Sequence, residues 1–137
     1  MAWQEAGPDG RVRPVCELEA DAGTVRQDQD AGNFERAVAR LYSSGKQTAR
    51  LQAPHVAATM KGKRVKAWGG VTIDVMRPEG LRVQADRLDG YLDKDLVVAR
   101  GHVRFVQKDP RTNQLIAEGG VFETVTIDTR RERLTVP

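Results

Sequence analysis

Residues 81–105, LRVQADRLDGYLDKDLVVARGHVRF, carry the clearest strand pattern of the chain. Leu81, Val83 and Ala85 alternate with polar residues, and a second alternating segment begins at Val103. Alternation with a period of two is typical of a β-strand that buries one face. Asp and Gly residues between the two segments favour turns. The stretch therefore predicts half-buried strands joined by short turns.

The same pattern is repeated along the chain with a period of 32 residues. Laying residues 49–80 over residues 81–112 without gaps gives eight identities in 32 positions. The identical pairs are Arg50/Arg82, Gln52/Gln84, Ala53/Ala85, Val65/Val97, Ala67/Ala99, Gly69/Gly101, Val71/Val103 and Pro78/Pro110. Self-similarity at a fixed period indicates repeated supersecondary units. Each unit has the order strand, turn, strand, glycine, strand.

An even period keeps equivalent residues on the same face of a sheet. The odd-numbered positions of the repeated strands are all apolar: 51, 53, 65, 67, 71, 73, 81, 83, 85, 97, 99, 103 and 105. They predict one continuous apolar interior of small aliphatic side chains. From the residues alone, this interior is either a packed core or a groove for an apolar ligand.

The regions before the repeat are assigned by composition and turn residues. Residues 1–16 are polar and contain several Gly and Pro residues, so we expect a flexible N-terminal arm. Residues 17–137 form the folded domain. Gly45 is expected to join a strand at residues 38–42 to a strand at residues 48–53 as a hairpin.

Composition restricts the class of protein. The chain has 137 residues, of which 39% are hydrophobic and 30% charged, which is typical of a single globular domain. No apolar run is long enough for a transmembrane helix, and the first residues lack the apolar segment of a signal peptide. The chain is therefore expected to be cytoplasmic or already stripped of a targeting segment. The net charge of +3 is weak evidence for an anionic partner.

The residues that usually carry catalysis are sparse. Ser43 and Ser44 lie in a predicted turn, and His55 and His102 are far apart with no motif around them. No nucleophilic triad, zinc site or cofactor motif can be assembled from them, so we predict that the protein is not an enzyme and has no metal or cofactor. Cys16 is interpreted as a structural thiol. Basic residues near positions 61–66 and 130–133 lack aromatic neighbours other than Trp68, which argues against nucleic-acid binding.

Several short motifs occur in the order found in a known family. They are Leu41-Tyr42-Ser43-Ser44-Gly45, residues 49–56 (ARLQAPHV), residues 83–88 (VQADRL) and residues 99–105 (ARGHVRF). Together they resemble the periplasmic lipopolysaccharide-export proteins of the LptC and LptA (OstA-like) family. The resemblance covers roughly residues 20–137 and is closer to LptC.

The resemblance implies an all-β fold, a single antiparallel β-jellyroll that is open like a folded sheet. Its apolar groove would hold the acyl chains of lipopolysaccharide, and similar jellyrolls would stack edge to edge in a bridge that starts at an inner-membrane ABC transporter. It implies a periplasmic location. Proteins of the LptC type usually carry an N-terminal membrane helix, so either a tether to the inner membrane lies outside this sequence or the protein is a soluble relative. A homo-oligomer formed by edge stacking is a further expectation.

Alternation assigns residues to this predicted groove and to its partner edge. The groove residues are Leu51, Val71, Ile73, Val83, Val103, Phe105 and Leu115. The partner-edge residues near the C-terminal strand are Val125, Ile127, Leu134 and Val136. Basic residues at the rim, Arg104 or Lys66, are candidates to pair with lipid phosphates.

Two other interpretations remain open. A structural β-repeat protein that assembles with itself would show the same period with a closed core and no lipid. A carbohydrate-active or carbohydrate-binding sandwich would need exposed aromatic platforms or a carboxylate pair across a cleft, and with two Trp and two Tyr the chain is poorly supplied. Capture of lipid would distinguish the groove from the structural repeat protein. Unchanged sugar binding by a Trp68→Ala variant would reject the carbohydrate interpretation.

Overall fold

Alternating side chains and short turns produce nine β-strands in the residues that the computed structural model describes, which are 2–6, 11–26, 28, 31–59, 61, 63–76 and 79–136. The strands are β1 (Ala2–Ala6), β2 (Val12–Arg26), β3 (Ala31–Ser43), β4 (Lys46–Thr59), β5 (Arg64–Val75), β6 (Leu81–Tyr91), β7 (Leu96–Lys108), β8 (Leu115–Asp128) and β9 (Arg133–Thr135). No helix capable of crossing a membrane occurs among these residues.

The strands form one antiparallel sheet whose spatial order is the chain order, β1 to β9. Short turns permit this arrangement, because an antiparallel pair needs only a tight connection. Ser44 and Gly45 both have positive φ and join β3 to β4. The predicted hairpin at Gly45 is therefore confirmed. Strands β1 and β9 are the two edges of the described sheet.

A crease crosses the sheet at the middle of its strands. In β5 the next buried residue after Ala67 is Val71, four positions later, whereas in the neighbouring β4 the next buried residue after Ala53 is Val56, three positions later. The pairing register shifts at this level between β4 and β5, β5 and β6, and β6 and β7. Gly69 takes up the extra length with a φ of +89°, a conformation that glycine adopts without a Cβ clash.

The crease divides the sheet into two layers whose inner faces are buried. Layer 1 comprises residues 37–53, 71–75, 81–85, 103–108 and 115–122, and layer 2 comprises residues 31–35, 55–59, 64–68, 87–91, 96–100 and 124–128. The layers meet at their ends, where Cδ1 of Leu41 lies 3.9 Å from the Cβ position of Gly90. The core lies between the layers and is continuous across the crease.

The predicted apolar face is confirmed as the inner face. Twelve of the thirteen odd-numbered positions are buried, and Phe105 is half-buried. The crease changes the parity within β4 and β6, however, so that the even-numbered Val56, Ala58 and Leu88 are also buried. Alternation with a period of two does not predict this change. A single step of three positions moves all the following inward-facing residues of the strand from odd to even numbers.

The N-terminal stretch differs from the expected arm where the structure describes it. Ala2–Ala6 form β1 and pair with residues 12–17 of β2. A strand pairs with its neighbour through backbone hydrogen bonds, which form whether the side chains are polar or apolar. The polar composition of residues 1–16 predicts an arm because it reports only on side-chain burial. Residues 1 and 7–10 lie outside the described residues, and the domain boundary at residue 17 stays a prediction.

Candidate functional site

Four of the predicted groove residues form one row across the inner face of layer 1. Leu51 lies opposite Ile73, Ile73 lies opposite Val83, and Val83 lies opposite Phe105. Directly opposed side chains in antiparallel strands have Cβ atoms about 4.5–5.5 Å apart, so this row is a continuous apolar strip. The row ends at Gly119 of β8, which lies opposite Phe105.

Burial decreases along this row towards β8. Leu51 and Ile73 are 0% exposed and Val83 is 1% exposed, whereas Phe105 is only half-buried. The Phe105 ring stacks on Phe122 with 6.1 Å between centroids and 15° between planes. A Cβ at Gly119 would lie 2.5 Å from Cε1 of Phe105, so the ring lies directly over the glycine. The row is therefore fully buried over β4 to β6 and becomes half-exposed at Phe105, beside the half-buried Phe122.

The walls of this interior are aliphatic. Among the described residues, the buried polar side chains are Thr48 and Thr129. Both hydroxyls donate hydrogen bonds to backbone carbonyls, Thr48 to Leu41 and Thr129 to Asp95. Such walls offer dispersion contacts and no hydrogen bonds, which suits a hydrocarbon chain or a dry core and excludes recognition of a polar small molecule there.

The three remaining groove residues are separated by the structure. Val71 and Val103 are buried beside the crease, at 2% and 0% exposure. Val103 lies opposite Phe122, so it is close to the open side. Leu115 begins β8 opposite Lys108 and is 54% exposed. Leu115 therefore lies outside the enclosed interior. It belongs to the free margin of β8, the stretch of residues 115–124 that does not pair with β9.

The predicted partner-edge residues are divided between the core and the edge. Val125 and Ile127 are wholly buried and lie opposite Ala99 and Val97 of β7. Their side chains belong to the core, because layer 2 still has an inner face at β8. Leu134 lies on the edge strand β9 and is partly buried, and Val136 follows it and is exposed.

Sequence analysis missed two exposed apolar residues on β8, Ile116 and Val121. β9 pairs only with residues 126–128, so residues 115–124 of β8 have β7 as their only neighbour in the described sheet. The sequence contains a signal for these exposed apolar residues. Leu115-Ile116 and Val121-Phe122 are adjacent apolar pairs, and adjacent residues of a strand point to opposite faces. One member of each pair therefore has to face outwards.

The rim residues lie on the outer face. Arg104 is exposed, and Gly120 is close to its side chain. Lys66 is exposed on layer 2, and its backbone lies opposite Asp89. Neither side chain borders the enclosed interior, since the inward-facing neighbours at positions 65, 67, 103 and 105 have the opposite orientation.

The titratable groups with a shifted pKa include a buried thiol and an exposed ion pair. Burial raises the pKa of Cys16 to about 12, so the thiol stays protonated and unreactive. A hydrogen bond and the negative charge of Asp86 raise the pKa of His102. No group of three or more metal-ligating side chains occurs among the described residues.

Comparison with known proteins shows the fold. No family model matches the sequence, and no curated protein matches it. Among solved structures, the chain is similar to LptH, the LptA-homologous periplasmic component of the lipopolysaccharide transport device of Pseudomonas aeruginosa. The TM-score is 0.66 at 16% sequence identity, over 88% of this chain and 80% of LptH. The predicted all-β, jellyroll-type open sheet is thereby confirmed.

Proposed function

We propose that this protein is a component of a periplasmic bridge that carries lipopolysaccharide, with the acyl chains held between the two layers. The fold shared with LptH supports this proposal, because LptH is a periplasmic component of a lipopolysaccharide transport device. The observation that carries it is the change from a fully buried aliphatic row at Leu51, Ile73 and Val83 to half-buried rings at Phe105 and Phe122. That the protein is closer to LptC than to LptA stays a prediction.

The acyl chains enter at the β8 side in this proposal. Phe105 is the one member of the row that is only half-buried, and Phe122, on which its ring stacks, is half-buried as well. Their displacement would connect solvent with Val103 and Val83, and then with Ile73 and Leu51 further inside. Each buried aliphatic contact contributes about 25 cal/mol per Å² of apolar surface removed from water.

The partners in this proposal are other jellyroll proteins of the bridge and an inner-membrane ABC transporter. The free margin of β8 supports strand addition, because unpaired strand backbone is a template for a further strand. Leu134 and Val136 lie beside this margin, on and after β9. Self-association through the same margin, and an inner-membrane tether outside this sequence, are parts of the same proposal.

Photo-crosslinking at adjacent positions tests the lipid site. A benzophenone amino acid at position 105 is incubated with purified lipopolysaccharide, and position 104 is the matched outward-facing control. We expect capture at 105 and not at 104, because the two side chains lie on opposite faces. Capture at neither position, in protein with the circular dichroism of the wild type, would contradict acyl-chain binding.

A second candidate is a structural β-repeat protein with a closed core. The near-zero exposure of Leu51, Ile73, Val83 and Val103 favours it, because these side chains already have protein neighbours on the inner face. This candidate predicts concentration-dependent filaments and no lipid capture at position 105. Electron microscopy of the purified protein over a concentration series distinguishes the two functions.

A further inference from the structure

A row of four large side chains crosses the outer face of layer 2. His55, Trp68, Arg87 and Arg100 lie directly opposite one another on β4, β5, β6 and β7. All four are at least partly exposed, and the row is on the opposite face of the sheet from the aliphatic interior. The row is therefore separate from the acyl-chain site.

Trp68 is exposed and held in one orientation. Its side chain is 43% exposed, although a large aromatic residue gains most from burial. The His55 ring stacks on the indole with 5.6 Å between centroids and 18° between planes. The other neighbour of Trp68 in the row is Arg87. The indole thus forms a fixed apolar platform that borders a guanidinium group.

Two of the three cations beside this platform, Arg87 and Lys66, are not balanced by an acid among the described residues. Arg87 and Arg100 are opposed across β6 and β7, and like charges in that position destabilise a sheet. The nearby acid is Asp89, whose carboxylate is 3.2 Å from Arg64 and 3.7 Å from Arg100. Arg87 and Lys66 form no ion pair with the described part of the chain. An anion bound between them would remove the repulsion.

These groups surround an open depression of about 600 Å³. Its lining includes Lys66, Trp68, Arg87, Asp89 and Arg100. The Asp89 side chain is only 18% exposed and is already paired with Arg64 and Arg100, which leaves Arg87 and Lys66 for an anion. The depression therefore combines one aromatic platform with two unpaired cations, and Arg100 lies beside them.

We propose that this outer-face site, made of Lys66, Trp68, Arg87 and Arg100, binds a phosphorylated sugar. A guanidinium group matches a phosphate with two parallel hydrogen bonds, and Lys66 adds a point charge. The apolar face of a sugar ring packs on the indole, whose polar edge remains free to hydrogen-bond. The proposal goes beyond acyl-chain binding and does not depend on it, because the ligand needs no hydrocarbon.

Two sources carry this shared chemistry: the phosphorylated saccharide of lipopolysaccharide, and a free sugar phosphate. Calorimetric titration of the full chain with chemically deacylated lipopolysaccharide and with glucose 1-phosphate separates them. Tighter binding of the deacylated saccharide identifies the headgroup as the source, and tighter binding of glucose 1-phosphate identifies the free compound. Neither probe has an acyl chain, so this result is independent of crosslinking at position 105.

Three variants test which residues bind glucose 1-phosphate. Arg87→Gln should weaken binding about tenfold or more, as expected for loss of a charge-assisted contact. Trp68→Ala should weaken the binding of glucose 1-phosphate and leave the binding of inorganic phosphate unchanged. Arg82→Gln is the matched control, because Arg82 is on the same strand and outer face but is already paired with Asp74 at 2.7 Å. It should bind as the wild type does.

Other outcomes would overturn the proposal. Equal binding of inorganic phosphate and glucose 1-phosphate would show a general anion patch, and tighter binding of AMP would show a preference for an aromatic base. Absence of binding at millimolar concentrations would also reject the site. If Arg87→Gln does not fold, Arg87→Lys keeps the charge and loses the paired hydrogen bonds, and its affinity should lie below that of the wild type.

Discussion

His102 and Asp86 join β7 to β6 across the crease, with Nδ1 of the imidazole 2.7 Å from Oδ2 of the carboxylate. His102 holds a φ of +50° at this position, and a Cβ on the preceding Gly101 would lie 2.6 Å from the same oxygen. The pair therefore lies where the sheet changes direction. Both side chains are largely exposed, so their interaction is screened by solvent.

This pair predicts a pH dependence with a definite sign. Because the pKa of His102 is raised in the folded state, the stabilisation is fully present below the unfolded value of about 6.5 and is lost as pH rises through the raised pKa. Asp86→Asn should lower the pKa of His102, measured by NMR titration of its ring protons. Asp93→Asn, in the exposed β6–β7 turn, is the control. An unchanged His102 titration in Asp86→Asn would show that the pair does not form in solution.

The enclosed row predicts a large cost for truncating Ile73. Ile73→Ala should reduce the free energy of unfolding by about 2–5 kcal/mol, because it removes buried methyl groups and leaves a cavity. Guanidinium denaturation followed by circular dichroism measures the change. Gln84→Ala, on the outer face of β6, should change it by less than about 0.5 kcal/mol. A loss below about 1 kcal/mol for Ile73→Ala would indicate a loosely packed interior even without lipid.

Replacement by alanine should destabilise the protein to different extents at two glycines that both have a positive φ. At Gly70 (φ +97°) an alanine Cβ would meet no atom within 4 Å, so Gly70→Ala should cost about 1–2 kcal/mol from backbone strain alone. At Gly80 (φ +80°) the Cβ would collide with the carbonyl oxygen of Lys108, whose N–H donates to Gly80. Gly80→Ala should therefore lower the denaturation midpoint more than Gly70→Ala. Equal midpoints would contradict the close approach of these backbones.

The free margin of β8 predicts self-association that depends on Ile116. Ile116→Lys adds a charge to an exposed apolar strand, which is how natural proteins block edge pairing. Sedimentation velocity should show a shift from larger species towards the monomer. Met76→Lys changes an equally apolar exposed residue in the β5–β6 connection and should leave the distribution unchanged. A monomeric wild type at all concentrations would contradict association through this margin.

Much of the candidate interior was predictable from local pattern. Leu51, Ile73 and Val83 were assigned to one face because alternation has a period of two and the repeat has an even period. The structure places them in one cross-strand row. Phe105 was assigned to the same face, but its half-exposed position depends on what covers it. No residue pattern reports that β9 is short and leaves part of β8 uncovered.

Side-chain alternation and turn residues act over a few neighbouring positions, so the class of fold, the turns and the face of most strands follow from local sequence. Other features arise only from contacts between strands. The crease moved Val56 and Leu88 into the core, placed Val125 and Ile127 in the core of layer 2, and aligned Trp68 with Arg87 and Arg100. These outcomes depend on register between strands, which is set by pairing across the whole sheet rather than by any one segment.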